Sequence, residues 1–487
     1  MYLENWIMEA LINNSIGRRT FLKTSAATTI VAGSQTLVSF PALADFAAGP
    51  TLRRNASTMA ASDPILRGYR TAITRMRGLP DTNPCSWFYQ AAIHGTFDPR
   101  NLQSWNTCHD DESFFWAWHR MYLHFFERIV RKYSGMYDWA LPYWDWTNPG
   151  QLPLPAPFRD SGSVLFDNSR RATINGGSPL STGLATSVSN AFTAVDYFNA
   201  QSGVNGPHGS VHIAVGGNMT AFETAAIDPI FWVHHSQVDR LWNLWLAQGG
   251  GRSNPVGNTA WKSLKYTFFD ECCQPVTMTG CQVLRAANQL SYAYEGEPPQ
   301  VNQYCPRSIF EIIRDLIIFV QLRRPFQLRR VPVKIPIPPP PPEMRERLTQ
   351  VARSGGGLAL RIGGVEAADQ PGVSWEVHVG PPSFRPNERS LVGMFALFGT
   401  GLRTRGHHFK PAEFVFPIGK AVAGIDPSRL EVIFIPVSGL GGDRGQERAA
   451  VPRVPVTIGE LSIIADLPAK LPPQDEQEKL RREEDMR

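Results

Sequence analysis

Apolar side chains recur at helical spacing in two long segments of this chain, residues 114–133 and 230–247. A spacing of about three to four positions places apolar residues on one face of an α-helix, so both segments predict helices. The surrounding region, from Asp63 to Gln303, is rich in Trp, Phe and Tyr. We interpret this region as a helical core.

Between the two helical segments, residues 148–190 are rich in Pro, Gly, Ser and Thr and show weak periodicity. This composition is typical of irregular loops, which often shape a site on a rigid frame. At 487 residues the chain is long enough for two domains plus tails.

A proline run at residues 336–342 marks a change in the pattern, because consecutive prolines favour an extended, semi-rigid spacer. Beyond the run, short alternating segments lie between Gly, Pro and Asn turns, which predicts an antiparallel β-sandwich or barrel-like domain. The segments are residues 358–362, 374–379, 391–397, 413–417 and 430–436.

These patterns predict a catalytic domain over residues 45–305, a Pro-rich linker over 306–345 and a β-rich domain over 346–470, followed by a charged tail over 471–487. Within the linker region, the apolar segment 309–322 contains Glu311, Arg314 and Asp315. Charges in that position argue against a membrane crossing, so we interpret the segment as a packed or interfacial helix.

Residues 1–44 predict a twin-arginine signal peptide. Arg18 and Arg19 precede Phe-Leu-Lys, a small-residue apolar stretch covers residues 24–38, and a cleavage motif ends at Ala44. We therefore expect export by the twin-arginine machinery to the periplasm or the extracellular space, without a stable membrane anchor.

Charge and cysteine content narrow the function further. The net charge of +5 is small for 487 residues and is not gathered into a basic stripe, so nucleic acid is not an expected partner. The six cysteines permit disulfides in an exported chain, although vicinal Cys272 and Cys273 are not expected to pair with each other. No CxxC pair is present, which argues against a structural zinc site.

Histidines provide the candidate chemistry. His208 and His212 are four residues apart, about 40° around a helix, so both rings can reach one metal ion. Adjacent His234 and His235 point about 100° apart, so one of them is expected to bind that ion. We assign His235 as the ligand and His234 as a near neighbour, because Asp239 lies one turn after His235 and could accept its second ring proton.

The segment 228–242 resembles the second copper motif of type-3 copper proteins, the family of tyrosinases, catechol oxidases and molluscan haemocyanins. Residues 88–95 and 114–129 are similar to the helices that carry the first and third ligands of the first copper, and residues 141–146 match another family segment. The resemblance implies an antiparallel four-helix bundle that holds two copper ions.

It also implies the ligands: His94, His109 and His119 for the first copper, and His208, His212 and His235 for the second. The family usually places the second ligand nine residues before the third, where this chain has Asp110. His109 stands ten before His119, and a register through Asp110 stays open. Cys108 is a candidate for the thioether bond that several family members form with this histidine, the alternatives being a plain buried thiol or a disulfide.

Other residues receive roles by the same comparison. Gly209 and Ile213 are expected beside the second copper and its substrate pocket. In the family, Asn at the position of Gly209 is associated with monophenol activity, through a positioned water. This chain has no glutamate in the stretch before His208 where the family usually holds that water, and Asp196 is a distant substitute. This pattern favours o-diphenol oxidation. His124 points away from the copper face and is expected to be structural, while His378, His407 and His408 fall in the β region without copper partners in view.

Towards the C-terminus, residues 268–271 and 292–294 resemble the end of the family's core, and residues 374–379 and 390–395 resemble the C-terminal domain of plant-type polyphenol oxidases. That domain is implied to cover the copper pocket and keep the enzyme latent. The expected function is an exported dicopper polyphenol oxidase that uses dioxygen to oxidise o-diphenols to o-quinones.

Alternatives are a tyrosinase that also hydroxylates monophenols, an o-aminophenol oxidase and a haemocyanin-like dioxygen carrier. A zinc or di-iron helical protein is disfavoured, because di-iron bundles use Glu-x-x-His pairs that are not seen among these motifs.

Overall fold

The computed structural model describes residues 50–108, 112–298, 314–353, 357–399, 411–441 and 447–468. The predicted signal peptide, the charged tail, and His109, Asp110, His407 and His408 lie outside the described residues. Among the described residues, no helix combines the length and the apolar character needed to cross a bilayer.

The longer helices of the described chain are α1 Pro64–Arg77, α2 Trp87–His94, α3 Phe115–Ser134, α4 Gly183–Ala191, α5 Tyr197–Val215, α6 Pro229–Ala247 and α7 Pro342–Arg353. Shorter helices cover Ala172–Asn175, Thr259–Ser263, Ala286–Gln289 and Gly419–Val422. Both helices predicted from periodicity are confirmed as α3 and α6.

Local sequence explains where α6 begins and α3 ends. The Asp228 carboxylate accepts from the N–H of Ile230, and Pro229 occupies the first helical position, where its missing N–H costs nothing. At the other end of α3, Gly135 adopts a left-handed φ of 78° that stops the helix. The loop predicted over 148–190 is irregular at first, but its last residues form α4, because Leu184, Val188 and Ala191 are buried.

The helical region has one aromatic core. Trp116 stacks on Trp242 with ring centroids 6.0 Å apart, and Phe126 stacks on Trp232 at 3.4 Å. A disulfide joins Cys85 to Cys273, with Cα atoms 5.4 Å apart, and Cys281 is disulfide-bonded as well. As expected, Cys272 and Cys273 do not pair with each other.

Two small sheets border this core. The first strands of the described chain are β1 Thr51–Arg53, β2 Lys265–Phe269, β3 Pro275–Thr279 and β4 Tyr292–Tyr294. Strand β1 pairs parallel with β4, and β2 pairs antiparallel with β3. The β1–β4 pair therefore joins the start of the described chain to the end of the helical region.

The C-terminal region contains two antiparallel sheets. Their strands are β5 Arg314–Leu322, β6 Phe326–Leu328, β7 Val333–Pro336, β8 Leu358–Ala367, β9 Ser374–Gly380, β10 Leu391–Phe395, β11 Ala412–Pro417, β12 Glu431–Gly441, β13 Glu447–Ala449, β14 Val456–Ile458 and β15 Glu460–Pro468. One sheet has the order β10-β9-β12-β13 with β7 also on β12, and the other has the order β5-β15-β8-β14-β6 with β11 also on β8.

One hydrophobic core fills the space between these sheets. Within it, the ring centroid of Phe395 in the first sheet lies 4.8 Å from that of Phe414 in the second. The predicted succession of a helical core and a β-rich domain is confirmed, and all five predicted β segments form strands.

Two sequence predictions near the proline run are wrong. Residues 314–322 form strand β5, which pairs with β15, and not a helix. A short apolar run does not by itself distinguish a strand from a buried helix. Here the segment forms a strand because one edge of β15 is available to pair with it. The predicted linker 306–345 also contains β6 and β7, so the proline run lies inside the β domain and not between domains.

Backbone and side-chain hydrogen bonds attach the β domain to the helical core. Ser187 Oγ of α4 accepts from the N–H of Met394 at 2.9 Å. The N–H of Ser181 donates to the carbonyl of Gly439, and the N–H of Gly441 to the carbonyl of Pro179, both at 3.1 Å. These contacts place β10 against α4, and the end of β12 against the residues that precede α4.

Candidate metal centre

Four helices bring six described histidines together in the interior. His94 ends α2, His119 lies in α3, His208 and His212 lie in α5, and His234 and His235 lie in α6. Each of these side chains has at most 1% of its surface exposed. A buried cluster of this kind has little water to satisfy its ring nitrogens, which makes it a candidate for metal binding.

The clearest ligand group consists of His208, His212 and His235. The three Nε2 atoms lie 3.1 Å (His208 to His212), 3.2 Å (His212 to His235) and 3.4 Å (His208 to His235) from one another. Nitrogens that bind one ion at about 2.0–2.1 Å in a tetrahedral arrangement lie about 3.3 Å apart. The spacing therefore fits three imidazole ligands on a single metal ion.

Hydrogen bonds on the opposite ring nitrogen orient the candidate ligands. Nδ1–H of His94 donates to the carbonyl of Phe222 at 3.0 Å, and Nδ1–H of His212 to the carbonyl of Met219 at 3.0 Å. Nδ1–H of His119 donates to its own helix, at the carbonyl of Phe115, at 2.7 Å. A proton held on Nδ1 leaves the Nε2 lone pair available for a metal.

A second group lies next to the first. Metal-binding atoms of His94, His119 and His235 lie within 4.8 Å of one another, and the rings of His119 and His235 stack with centroids 4.3 Å apart. The assignment of His109 to this group stays a prediction. Buried Cys108 lies beside the group, with Sγ 3.4 Å from His119 Nε2. The thioether also stays a prediction.

Burial and neighbouring imidazoles favour the uncharged form of three histidines of the cluster. Burial lowers the pKa of His212, His234 and His235 well below 6.5, and the neighbouring histidines lower it further. Neutral imidazole is the form that binds metal, so the donors need not lose protons at neutral pH. Neutral nitrogen donors suit copper, and two adjacent groups suit a pair of ions.

His234 lies against the group formed by His208, His212 and His235. Its ring is parallel to that of His208, with centroids 5.3 Å apart, and its ring nitrogens have no hydrogen-bond partner among the described residues. Its nitrogens also fall within the cluster formed by His208, His212 and His235. The assignment of His235 as ligand and His234 as neighbour stays a prediction, which the close Nε2 contacts of His235 favour.

The expected role of Asp239 is wrong. Its carboxylate does not accept from His235, whose Nδ1 has no hydrogen-bond partner among the described residues. Instead it binds Arg120 at 2.5 Å and Arg53 at 3.2 Å, together with two tyrosine hydroxyls. Two buried guanidiniums attract the carboxylate more strongly than one imidazole N–H does. Asp239 therefore supports α6 and does not orient the ligand.

Phe398 covers the centre from the β domain. Its ring stacks on that of His212 at 3.7 Å with an interplanar angle of 17°, and it lies 5.8 Å from the ring of His208. The same segment packs on Gly209: a Cβ there would lie 3.4 Å from the carbonyl of Ala396. Ile213 is completely buried one residue after His212, and its pocket role stays a prediction.

Three other residues considered in the sequence analysis, His124, His378 and Asp196, lie outside the two histidine groups. His124 packs beside Phe125, and burial with nearby arginines lowers its pKa to about 3. In β9, His378 bonds to Ser390 and Glu376. Asp196 caps the start of α5 by accepting from the N–H of Asn199. None of these three belongs to either histidine group of the described chain.

Sequence reasoning missed two residues of the site, Asn205 and Phe398. The Oδ1 atom of Asn205 lies 3.0 Å from Nδ1 of His208. Asn205 stands one helical turn before His208, a spacing that could have identified it. Phe398 has no comparable local signal, because it reaches the centre only through domain packing.

Adjacent groups of buried, neutral imidazoles on a helical frame define a dinuclear metal protein. Residues 84–183 and 167–248 match the family model for the common central domain of tyrosinase. Residues 84–248 are therefore similar to the central domain of the tyrosinase family, whose cofactor is a pair of copper ions, and the two histidine groups could hold such a pair.

Curated tyrosinases and polyphenol oxidases are also similar to this chain in sequence. The chain is 34% identical to the tyrosinase HcTyr1 of Hahella sp. (strain CCB-MM4) over 286 residues, which is 48% of this chain and 61% of that protein. It is 30% identical to the latent, chloroplastic polyphenol oxidase of Prunus armeniaca over 290 residues, which is 50% of this chain and 48% of that protein. The chain thus spans about half to three fifths of these relatives.

Solved structures share the fold over a larger part of the chain. A latent aurone synthase (polyphenol oxidase) from a natural source superimposes with a TM-score of 0.63 and 20% identity, covering 86% of this chain and 90% of that one. Latent apple tyrosinase gives a TM-score of 0.63 and 22% identity, covering 86% and 98%. The fold therefore includes the β domain as well as the helical core.

Proposed function

We propose that this protein is a dicopper oxidase that uses dioxygen to convert o-diphenols into o-quinones. The observation that carries the proposal is the convergence of three Nε2 atoms, from His208, His212 and His235, within 3.1–3.4 Å of one another beside His94 and His119. In the overall reaction two diphenols lose four electrons and four protons, and one dioxygen becomes two waters.

His208, His212 and His235 would hold one copper, and His94 and His119 would hold the other together with His109. Copper bound there supplies the electron exchange between diphenol and dioxygen. The chain's own residues fix the donor nitrogens through the carbonyls of Phe222, Phe115 and Met219 and exclude water from the centre. A dry, preorganised site needs little rearrangement during the reaction.

We further propose that the β domain keeps the enzyme latent. Phe398 occupies the face of His212 on which an aromatic substrate ring would otherwise stack. An incoming phenol must displace that ring, so binding is opposed by the packing of Phe398 and of the segment that carries it. Removing the obstruction is therefore the expected route to activity.

We favour diphenols over monophenols because position 209 is glycine. An Asn side chain there would meet the segment of Ala396 and Phe398, since a Cβ at this position already lies 3.5 Å from Phe398 Cβ. In this chain the position thus serves close packing with the covering segment and offers no side-chain hydrogen bond to a phenol.

The test combines copper binding with turnover. Full-length protein loaded with copper is assayed with catechol and with a monophenol, and copper per chain is measured, for the wild type and His208→Ala. We expect two coppers and catechol turnover for the wild type, one copper and no turnover for His208→Ala, and little monophenol activity. A wild type that holds two coppers and binds dioxygen without catechol turnover, even after Phe398→Ala opens the site, would contradict the proposal and favour a dioxygen carrier.

Export is a separate proposal that rests on residues 15–44. Replacing Arg18 and Arg19 by Lys should retain the protein inside the cell, as fractionation would show. Export that continues unchanged would contradict the twin-arginine assignment.

A further inference from the structure

Four of the five ligand histidines of the described chain are oriented through Nδ1, and they are oriented in two different ways. Nδ1 of His94, His119 and His212 each donates to a backbone carbonyl, which no side-chain replacement removes. Nδ1 of His208 instead faces the side-chain amide oxygen of Asn205 at 3.0 Å. His208 thus depends on a side chain for its orientation.

The position of Asn205 on α5 explains this contact. Residues three apart on a helix are neighbours on its surface, so the amide of Asn205 reaches the ring of His208 within one turn. Pro207 lies between them and has no N–H to give to the carbonyl of Gly203, so this turn lacks one backbone hydrogen bond. A side-chain bond across the same turn therefore adds rigidity where the helix is weakest.

We infer that Asn205 is a positioning residue for the second metal site, where it fixes the tautomer and the direction of the His208 ring. The inference rests on the proposed dicopper function. The amide oxygen accepts the Nδ1 proton, so the lone pair of Nε2 points towards the Nε2 atoms of His212 and His235. Partners of this kind change metal affinity by about 10- to 100-fold when they are removed.

Variants of Asn205 that remove or strengthen the hydrogen-bond acceptor should have opposite effects on His208. Asn205→Leu has nearly the same shape as the wild type but no acceptor, so His208 loses its fixed tautomer. Asn205→Asp keeps an oxygen in place and adds a negative charge, which strengthens the bond to Nδ1–H and raises the basicity of the ligand. Asn199→Leu, two turns earlier on the same helix, is the matched control.

The first test measures copper retention. The copper-loaded full-length variants are exposed to increasing concentrations of a copper chelator, and copper per chain is determined, with circular dichroism as the check on folding. We expect Asn205→Leu to lose one of its two coppers at about 10- to 100-fold lower chelator concentration than the wild type. Asn205→Asp should retain both coppers at least as well as the wild type, and Asn199→Leu should behave like the wild type.

A second measurement needs no metal. In metal-free protein labelled with ¹⁵N in histidine, the His208 resonances report which ring nitrogen carries the proton. We expect an Nδ1-protonated ring in the wild type and a mixture of tautomers in Asn205→Leu. Equal copper retention and an unchanged tautomer in folded Asn205→Leu would overturn the inference. A wild type that binds fewer than two coppers would instead contradict the dicopper function, and the tautomer measurement would still test Asn205.

Discussion

The ring of Phe398 lies 3.7 Å from the ring of His212, centroid to centroid, and nearly parallel to it. The two residues belong to different domains and are 186 positions apart in sequence. Because His212 is a candidate ligand of the second copper, this contact places a side chain of the β domain directly over the proposed reaction centre. Access to the centre and the packing of the β domain are therefore linked.

Phe398→Ala should activate the enzyme without proteolysis. Removing the ring takes away a stacked contact of about 0.5–1.5 kcal/mol and opens the face of His212, so we expect an increase in catechol kcat/KM of up to about tenfold. Steady-state kinetics on copper-loaded protein measures the change. Phe97→Ala, which alters a side chain that is 62% exposed, should have no effect and is the matched control. Equal kinetics for all three proteins would show that Phe398 does not limit access.

Gly206→Ala should loosen the covering segment from a position outside the ligand set. A Cβ at Gly206 would lie 2.1 Å from the carbonyl oxygen of Met394, so β10 or α5 has to move. We expect a loss of about 1–3 kcal/mol in the free energy of unfolding, together with higher basal catechol turnover. Denaturant unfolding and kinetics on the same sample measure both effects.

Gly209→Ala is the control for this experiment, because a Cβ there has ordinary contact distances of 3.4 Å or more. It should leave the free energy of unfolding within about 0.5 kcal/mol of the wild type. If Gly206→Ala and Gly209→Ala behave alike, close packing of α5 against β10 does not control the site.

Cleavage within residues 337–341 should leave the enzyme latent. Strands β5 and β7 precede this segment, and their partners β15 and β12 follow it. Hydrogen bonds between strands therefore hold the two pieces of a cleaved chain in the same β domain. The nicked chain should therefore elute as one species in native size-exclusion chromatography and keep its low catechol turnover. Activation at the moment of cleavage would contradict this expectation and point to release of Phe398.

Asp239→Asn should destabilise the protein while leaving the metal-binding nitrogens in place. The carboxylate contacts Arg53 and Arg120 in the interior, and removing one member of a buried ionic network costs about 3–5 kcal/mol. Thermal unfolding should show a lower Tm. As a control, Asp98→Asn alters an ion pair with Arg100 near the surface, which water screens, and should leave the Tm close to that of the wild type.

The pH dependence of stability follows from the same carboxylate. Burial raises the pKa of Asp239, but Arg120, Arg53 and two tyrosine hydroxyls lower it more, so the net shift is downward. A lowered pKa stabilises the fold above the unfolded pKa of about 3.9, and this contribution is lost as the pH falls through the folded value. Acid unfolding of Asp239→Asn should therefore depend less on pH below about pH 4 than that of the wild type.

The positions of α3 and α6 were predictable because long periodic segments specify helices strongly. The region 306–345 was misassigned because strands β5 to β7 receive their hydrogen bonds from β15, β14 and β12, which lie more than 90 residues further along the chain. Short strands of this kind are stabilised by pairing and not by local propensity. The role expected for Asp239 failed for a similar reason, since its partners Arg53 and Tyr292 come from β1 and β4.

The sequence by itself determined the helical core and the alternating strands of the β domain, because periodicity is a local property. The set of candidate ligands followed from the resemblance of its motifs to those of type-3 copper proteins. Only the tertiary structure decided that the Nε2 atoms of His208, His212 and His235 converge, that Asn205 orients one of them, and that Phe398 covers the centre. Convergence of this kind depends on how separate elements pack, and packing is a property of the whole chain.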